Sequence, residues 1–257
     1  MKNLLKTLDD SEIQLAAAVQ NALLTGEVPP CECGKMALKN RMVAEIGGDF
    51  YHFRQLGQDQ VAFAIGDVMG HSMGAALLMT LILGLLRADR EDNRRPSRVA
   101  ESINTMLVRL GGSVNMPITC SMIYGVVDLP SGILLYVNAG HPHPLIFNRT
   151  EEKFHHLPPT TMLLGVQAGI LPESCHQFHT QDRLILFTDG LMDAHKGDFD
   201  VFGEERLRQV IRKTAPDSPE MVTQRVFEEV DLYRGPASQT DDETLVVIDF
   251  DNPMSKL

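Results

Sequence analysis

The sequence predicts an α+β fold, a β-sandwich of two mainly antiparallel sheets flanked by helix pairs. Three observations point to it. Short apolar runs follow one another through most of the chain, and hairpin-like turns join most of them. Past an N-terminal segment, helical periodicity is confined to two neighbouring pairs, so strands do not alternate with helices as they would in an α/β protein. The chain has 257 residues and is 44% hydrophobic, enough to fill one large core.

Asp9, Asp10 and Ser11 can cap a first helix that runs to about Leu24. Leu15, Val19 and Leu23 form one stripe at helical spacing, and "TGEVPP" breaks the helix. Residues 1–30 therefore read as an amphipathic helix and linker, and residues 31–257 as the main domain. The stripe calls for a cover, either the domain itself or a partner helix. "MALKNRMV", "EIGGDFYHF" and "QVAFAIGDV" are strand candidates. Helices over about 74–87 and 96–110 follow, the second opened by Pro96 and stopped by Gly111. "ITCSMIYGVVD" and "ILLYVNAG", joined by "LPSG", form one hairpin; "PLIFNR" and "EKFHHL" form another. "CHQFHT" and "RLILFTDG" come next. Helices over about 204–213 and 218–233 precede the last strand, "ETLVVIDF".

Composition excludes several classes. A net charge of −11 argues against a nucleic-acid partner. The start of the chain has no apolar signal-peptide core, and no apolar run is long enough for a membrane span. Four cysteines are too sparse for a disulfide framework, so a cytoplasmic setting is expected. The Cys31-Glu32-Cys33 pair lacks the second paired motif that a closed zinc site normally shows.

The acids are placed unusually. Asp67 ends the apolar strand "VAFAIG", Asp189 ends "RLILFT", Asp241 and Asp242 precede "ETLVVIDF", and Asp49 follows Gly47-Gly48 before an aromatic-rich strand. Any one of them could be a turn or cap residue. Together they suggest carboxylates gathered at one rim of a sheet. Such a cluster resists ionisation unless a cation compensates it. Oxygen-only ligands select hard divalent ions, Mg²⁺ or Mn²⁺, and two such ions sharing a carboxylate can activate a water against a phosphoryl group. Glycines around Asp67 let the chain turn from strand to helix beside the ions.

"EIGGDFYHF", "AIGDVMGHSMGAALLM", "YVNAGHPHPLIF", "LILFTDGLMDA" and "SQTDDETLVVIDF" occur in this order over about residues 33–250. Together they resemble the PPM-type metal-dependent serine/threonine protein phosphatases of the bacterial SpoIIE/RsbU branch. The resemblance implies a sandwich flanked by helix pairs and a centre of two Mn²⁺ or Mg²⁺ ions. It implies catalytic roles for Asp67, Asp189 and Asp241. Asp67 would bridge the ions, Asp189 and Asp241 would complete one ligand set, and Asp49 and the Val68 carbonyl would serve the other. The implied substrate is a phosphorylated STAS-domain protein of the anti-anti-sigma type. His71 and His141 fall in family signatures; either could lie near substrate or brace local structure.

Three positions depart from the pattern. His52 stands where the family usually has an acid, which would weaken the second ion. Ser72 replaces a glycine, with a minor effect expected. Met69 occupies the place of a histidine that animal relatives carry as a general-acid candidate, so no protein group is assigned that role. Two other functions stay open at the level of sequence: a weakly active module that binds phosphoproteins, and a metal phosphoesterase for small molecules. The N-terminal helix is a candidate for self-association or for a regulatory partner.

Overall fold

The computed structural model describes residues 10–24, 35–70, 73–88, 91–197 and 200–250. Its elements are helix α1 (Asp10–Leu24), strands β1 (Met36–Arg41), β2 (Asp49–Gln55) and β3 (Gln60–Val68), and helices α2 (Met73–Arg87) and α3 (Pro96–Val114). Strands β4 (Cys120–Asp128), β5 (Ile133–Ala139), β6 (Leu145–Asn148), β7 (Lys153–His156), β8 (Ser174–Gln177) and β9 (Asp182–Phe187) follow. The one-turn helix α4 (Asp189–Met192), helices α5 (Gly203–Lys213) and α6 (Pro219–Arg234), and strand β10 (Glu243–Phe250) complete the chain.

The strands form two five-stranded sheets, β1-β10-β9-β6-β7 and β2-β3-β4-β5-β8, and every ladder is antiparallel. Three apolar layers result. Phe63, Ile65, Tyr136, Phe178, Leu184 and Val246 fill the space between the sheets. Phe50, Ala64 and Met122 pack against Met79, Leu83 and Ile103 of α2 and α3. Ile185, Leu245 and Val247 pack against Leu207, Val222 and Val226 of α5 and α6. The predicted sandwich with two helix pairs is therefore the observed architecture. A strand covered on both faces has no polar side to show, and β10 is accordingly buried along its whole length.

Both predicted hairpins form, β4 with β5 and β6 with β7. The runs around Gln181 do not pair with each other: β8 adds to β5 in one sheet and β9 joins β10 and β6 in the other.

One local expectation is corrected. Helix α3 does not stop at Gly111. It runs to Val114, where Asn115 in the left-handed region (φ 54°) ends it. Gly111 is instead a point of close approach, since a Cβ there would lie 2.8 Å from the Met116 carbonyl. The stripe on α1 divides between the two covers the sequence left open: Leu23 packs against the domain core, while Leu15 and Val19 are 67% and 49% exposed. The helix docks through Leu24 and Gln20. The Gln20 amide donates to the Gly47 carbonyl (2.9 Å) and accepts from the Gly47 N–H (3.0 Å). Residues 25–34, with Cys31 and Cys33, lie outside the described residues.

Candidate active site

The carboxylates gather where the ends of the two sheets face each other. In one sheet, Asp49 at the start of β2 is the cross-strand partner of Asp67 near the end of β3. In the other, Asp189 follows β9, and Asp241 and Asp242 precede β10. Strand alternation fixes which way they point. Asp49, Tyr51 and Phe53 share a face of β2, and Phe53 belongs to the layer between the sheets. The acids of the first sheet thus face those of the second.

Their electrostatics record the crowding. Burial, then the charges of Asp189, Asp241 and Asp242, push the Asp67 carboxyl up to about 8, against some relief from the Val68 amide. Asp49 is raised well above the usual carboxylate range, chiefly by burial, with Asp67 and Asp242 adding to it. Asp189 is also raised, by burial first and Asp193 next. Asp49, Asp67, Asp189, Asp241 and Asp242, five acids from distant parts of the chain, therefore share one field.

Asp49 is anchored by two hydroxyls across the sandwich. Thr188 Oγ1 and Thr244 Oγ1 both donate to its Oδ2, at 2.7 and 2.5 Å. Asp242 accepts from the Val43 N–H at Oδ1 and the Gly48 N–H at Oδ2, both at 2.8 Å. It ties the start of β10 to the loop leading into β2. Behind it Glu243, which is buried, is held by Arg41 and Arg234. Neither the threonines nor the anchoring role of Asp242 was assigned from sequence. The signal was present as a hydroxyl beside each acid in "FTDG" and "DDET", but the partners are far apart along the chain.

The donor set suits a hard cation. Gly48 supplies a direct test of space. A Cβ at this position would come within 2.8 Å of the Val68 carbonyl, 2.9 Å of Asp67 Oδ1 and 3.0 Å of the Gly70 carbonyl. Only glycine leaves this oxygen-lined cradle open. Among the described residues no three Asp, Glu, His or Cys side chains converge tightly enough to hold an ion by themselves. Asp189 Oδ1 is turned to the Gly190 N–H (3.0 Å) and Asp241 Oδ1 to the Asp242 N–H (2.9 Å). Each carboxylate thus engages the next residue's backbone N–H through one oxygen.

His141 is buried. Its Nδ1 pairs with Ser121 Oγ at 2.9 Å and its N–H donates to Asn138 Oδ1 at 2.9 Å. Burial lowers its pKa to about 3, so the ring is neutral. Since Ser121 is the cross-strand partner of Asp67, His141 braces the strand beneath the carboxylates. His71 and Ser72 lie outside the described residues. His52 points to the α2 side of β2, opposite Asp49. Burial, then Arg87 and Arg54, lower its pKa to about 4. The expectation that His52 tunes an ion beside Asp49 does not match this placement.

Residues 57–251 match the family described as Stage II sporulation protein E (SpoIIE). Protein IcfG of Synechocystis is 27% identical over 251 residues, covering 82% of this chain and 38% of that protein. Phosphoserine phosphatase RsbU of Bacillus subtilis is 24% identical over 239 residues, covering 93% of this chain and 70% of that protein. Among solved structures, the SiaA-PP2C domain of Pseudomonas aeruginosa superimposes with a TM-score of 0.82 at 19% identity, over 94% of this chain and 97% of that one. RsbX in complex with magnesium gives 0.61 at 15% identity, over 86% and 97%. The sandwich, the rim of acids closed by strand ends from both sheets, and a family match across most of the chain lead to one assignment: the chain belongs to the SpoIIE family of PPM-type (PP2C) phosphatases.

Proposed function

We propose that this chain hydrolyses phosphoserine or phosphothreonine on a protein, and that its substrate is a phosphorylated STAS-domain regulator of the anti-anti-sigma type. The observation that carries the reading is the coupling of Asp67 to Asp189, Asp241 and Asp242 across the sandwich, in a chain of this family. Asp67, Asp189 and Asp241 would hold one Mg²⁺ or Mn²⁺ ion. Asp67, Asp49 and the Val68 carbonyl would hold a second. When bound, such ions act as Lewis acids and lower the pKa of water.

The chain's own residues prepare the site for this chemistry. Asp242 and Gln20 fix the Gly47-Gly48 loop, so the oxygen cradle stands ready before any ligand arrives. Thr188 and Thr244 take up one oxygen of Asp49. Ser121 and His141 stiffen the strand behind Asp67. Preorganised oxygen donors need little rearrangement as charge develops on a phosphoryl group.

Helix α1 is the proposed regulatory handle. Its exposed Leu15 and Val19 offer an apolar face to a second copy or a regulatory partner, while Gln20 holds the loop beside the cradle. Among the described residues no helix is long and apolar enough to cross a membrane; we propose a cytoplasmic setting. The test is phosphate release from a phosphoserine STAS-domain protein and from p-nitrophenyl phosphate, with and without Mn²⁺. Turnover of both supports the reading. Turnover of p-nitrophenyl phosphate alone would favour a small-molecule phosphoesterase. Turnover of neither, with the phosphoprotein still bound, would favour a binding module.

A further inference from the structure

Charge is missing from several stretches of this otherwise charged chain, and two of them line the surface beside the acids. Residues 110–127 and 157–172 contain no Asp, Glu, Lys or Arg. The fold brings them together beside the acids. Cys120 bridges Leu164, and Cys120 N–H and Leu164 N–H donate to each other's carbonyls at 3.1 and 2.9 Å. Cys120 is also the cross-strand partner of Val68, next to Asp67. A Cβ on Gly165 would lie 1.9 Å from the Ile118 carbonyl, so the two segments touch backbone to backbone.

This surface presents large apolar side chains to solvent. Met69, two residues past Asp67, is 70% exposed; Met116 is 66% exposed, and Met162 and Val166 are each 52% exposed. The backbone beneath is fixed. The Met69 N–H donates to the Thr119 carbonyl (3.2 Å), and the Thr119 hydroxyl meets Met69 Sδ (3.6 Å). Asn104 of α3 accepts from the Gly165 N–H (2.7 Å) and donates to the Gln167 carbonyl (2.9 Å). An exposed apolar patch without charges, rich in methionine and built on rigid backbone, has the composition of an interface centre.

We propose that this patch is the docking surface for the protein substrate, and that it receives apolar side chains flanking the phosphorylated residue. The inference rests on the phosphatase reading and deepens it. The occupant follows from continuity. A phosphoryl group delivered to Asp67 places the residues on either side of it over Met69 and its neighbours. Neither stretch carries a Lys or Arg with which to read an acidic sequence. Methionine adapts to varied apolar shapes, so the surface selects hydrophobic flanks without demanding one sequence.

The test uses two synthetic phosphoserine peptides, one with Leu and Phe around the phosphoserine and one with Gly and Ser. The wild-type chain should favour the apolar peptide by about tenfold in kcat/KM, through KM. A triple variant, Met116→Ser, Met162→Ser and Val166→Ser, should lose most of that preference. Its p-nitrophenyl phosphate turnover should stay within about twofold of wild type, because none of the three is assigned to the acid cluster. No preference in wild type, or a preference the triple variant keeps, overturns the proposal. Binding of the same peptides by fluorescence anisotropy requires no turnover. Preferential binding without p-nitrophenyl phosphate hydrolysis would defeat the phosphatase reading and leave the docking surface standing. Equal binding of the two peptides, together with retention of the wild type but not the triple variant on phosphatidylcholine vesicles, would replace a protein substrate with a lipid surface.

Discussion

At the scale of single residues, the metal-free site works against the fold. The folded-state pKa of Asp67 is about 8, well above its unfolded value of 3.8. Between these values the folded chain holds a proton that the unfolded chain has released. Its contribution to stability is full below about pH 4 and is lost as pH rises through 8. Asp67→Asn removes that dependence. In EDTA the variant should match wild type near pH 4 and exceed it by at least ~1 kcal/mol at pH 8, read from guanidinium melts at both pH values. A constant gap across that range would mean that neither burial nor the neighbouring acids raise Asp67. The position of His52 leads to an opposite expectation from the one its sequence motif raised. A carboxylate placed there would face Arg54 and Arg87, not Asp49. His52→Asp should leave the Mn²⁺ concentration for half-maximal rate unchanged and stabilise the chain by about 0.5 kcal/mol. A shifted Mn²⁺ titration would put residue 52 back in the site.

Elements decide whether the acids meet at all. Asp242 joins β10 to the loop before β2 by accepting two backbone N–H groups. Asp242→Asn turns one acceptor into a donor facing a donor. Thermal unfolding should report a loss of about 2 kcal/mol, and metal affinity should fall because the Gly48 cradle moves. Gln20 plays the equivalent part for α1. Gln20→Ala should speed amide exchange across Asp10–Leu24 while β3 and β10 stay protected. Unchanged exchange in α1 would show that Leu23, Leu24 and the Arg87 hydrogen bond to the Leu23 carbonyl hold the helix without it. The strands were legible in the sequence because each is an apolar run bounded by turn residues, and the acids were legible because each interrupts such a run. The end of α3 was not, because Gly111 serves a close backbone approach that looks in sequence like a helix stop. One-turn α4 was hidden in the same way, since "TDG" reads as the tail of β9. The threonine clamp on Asp49 was not legible because its three residues come from segments that meet only in the folded sandwich.

For the whole molecule, the sandwich holds a charge cluster that the fold supports and a counter-charge would relieve. Each sheet contributes part of the rim, and each helix pair covers the outer face of the sheet that bears it. Hydrophobic layers fix the sheets relative to each other, so the acids cannot move apart without disturbing the packing between them. Adding Mg²⁺ or Mn²⁺ to the stripped chain should therefore raise its melting temperature, by several degrees at pH 8 and less at pH 5, where Asp67 is protonated. The measurement that tests the account most directly is the initial rate of p-nitrophenyl phosphate hydrolysis during a Mn²⁺ titration of EDTA-stripped protein, for wild type and Asp67→Asn together. The account predicts no turnover before metal, a saturable rise for wild type, and a rate at least ~100-fold lower for the variant at every Mn²⁺ concentration. Full turnover by the stripped chain, or near-wild-type rates with Asp67→Asn, would contradict it.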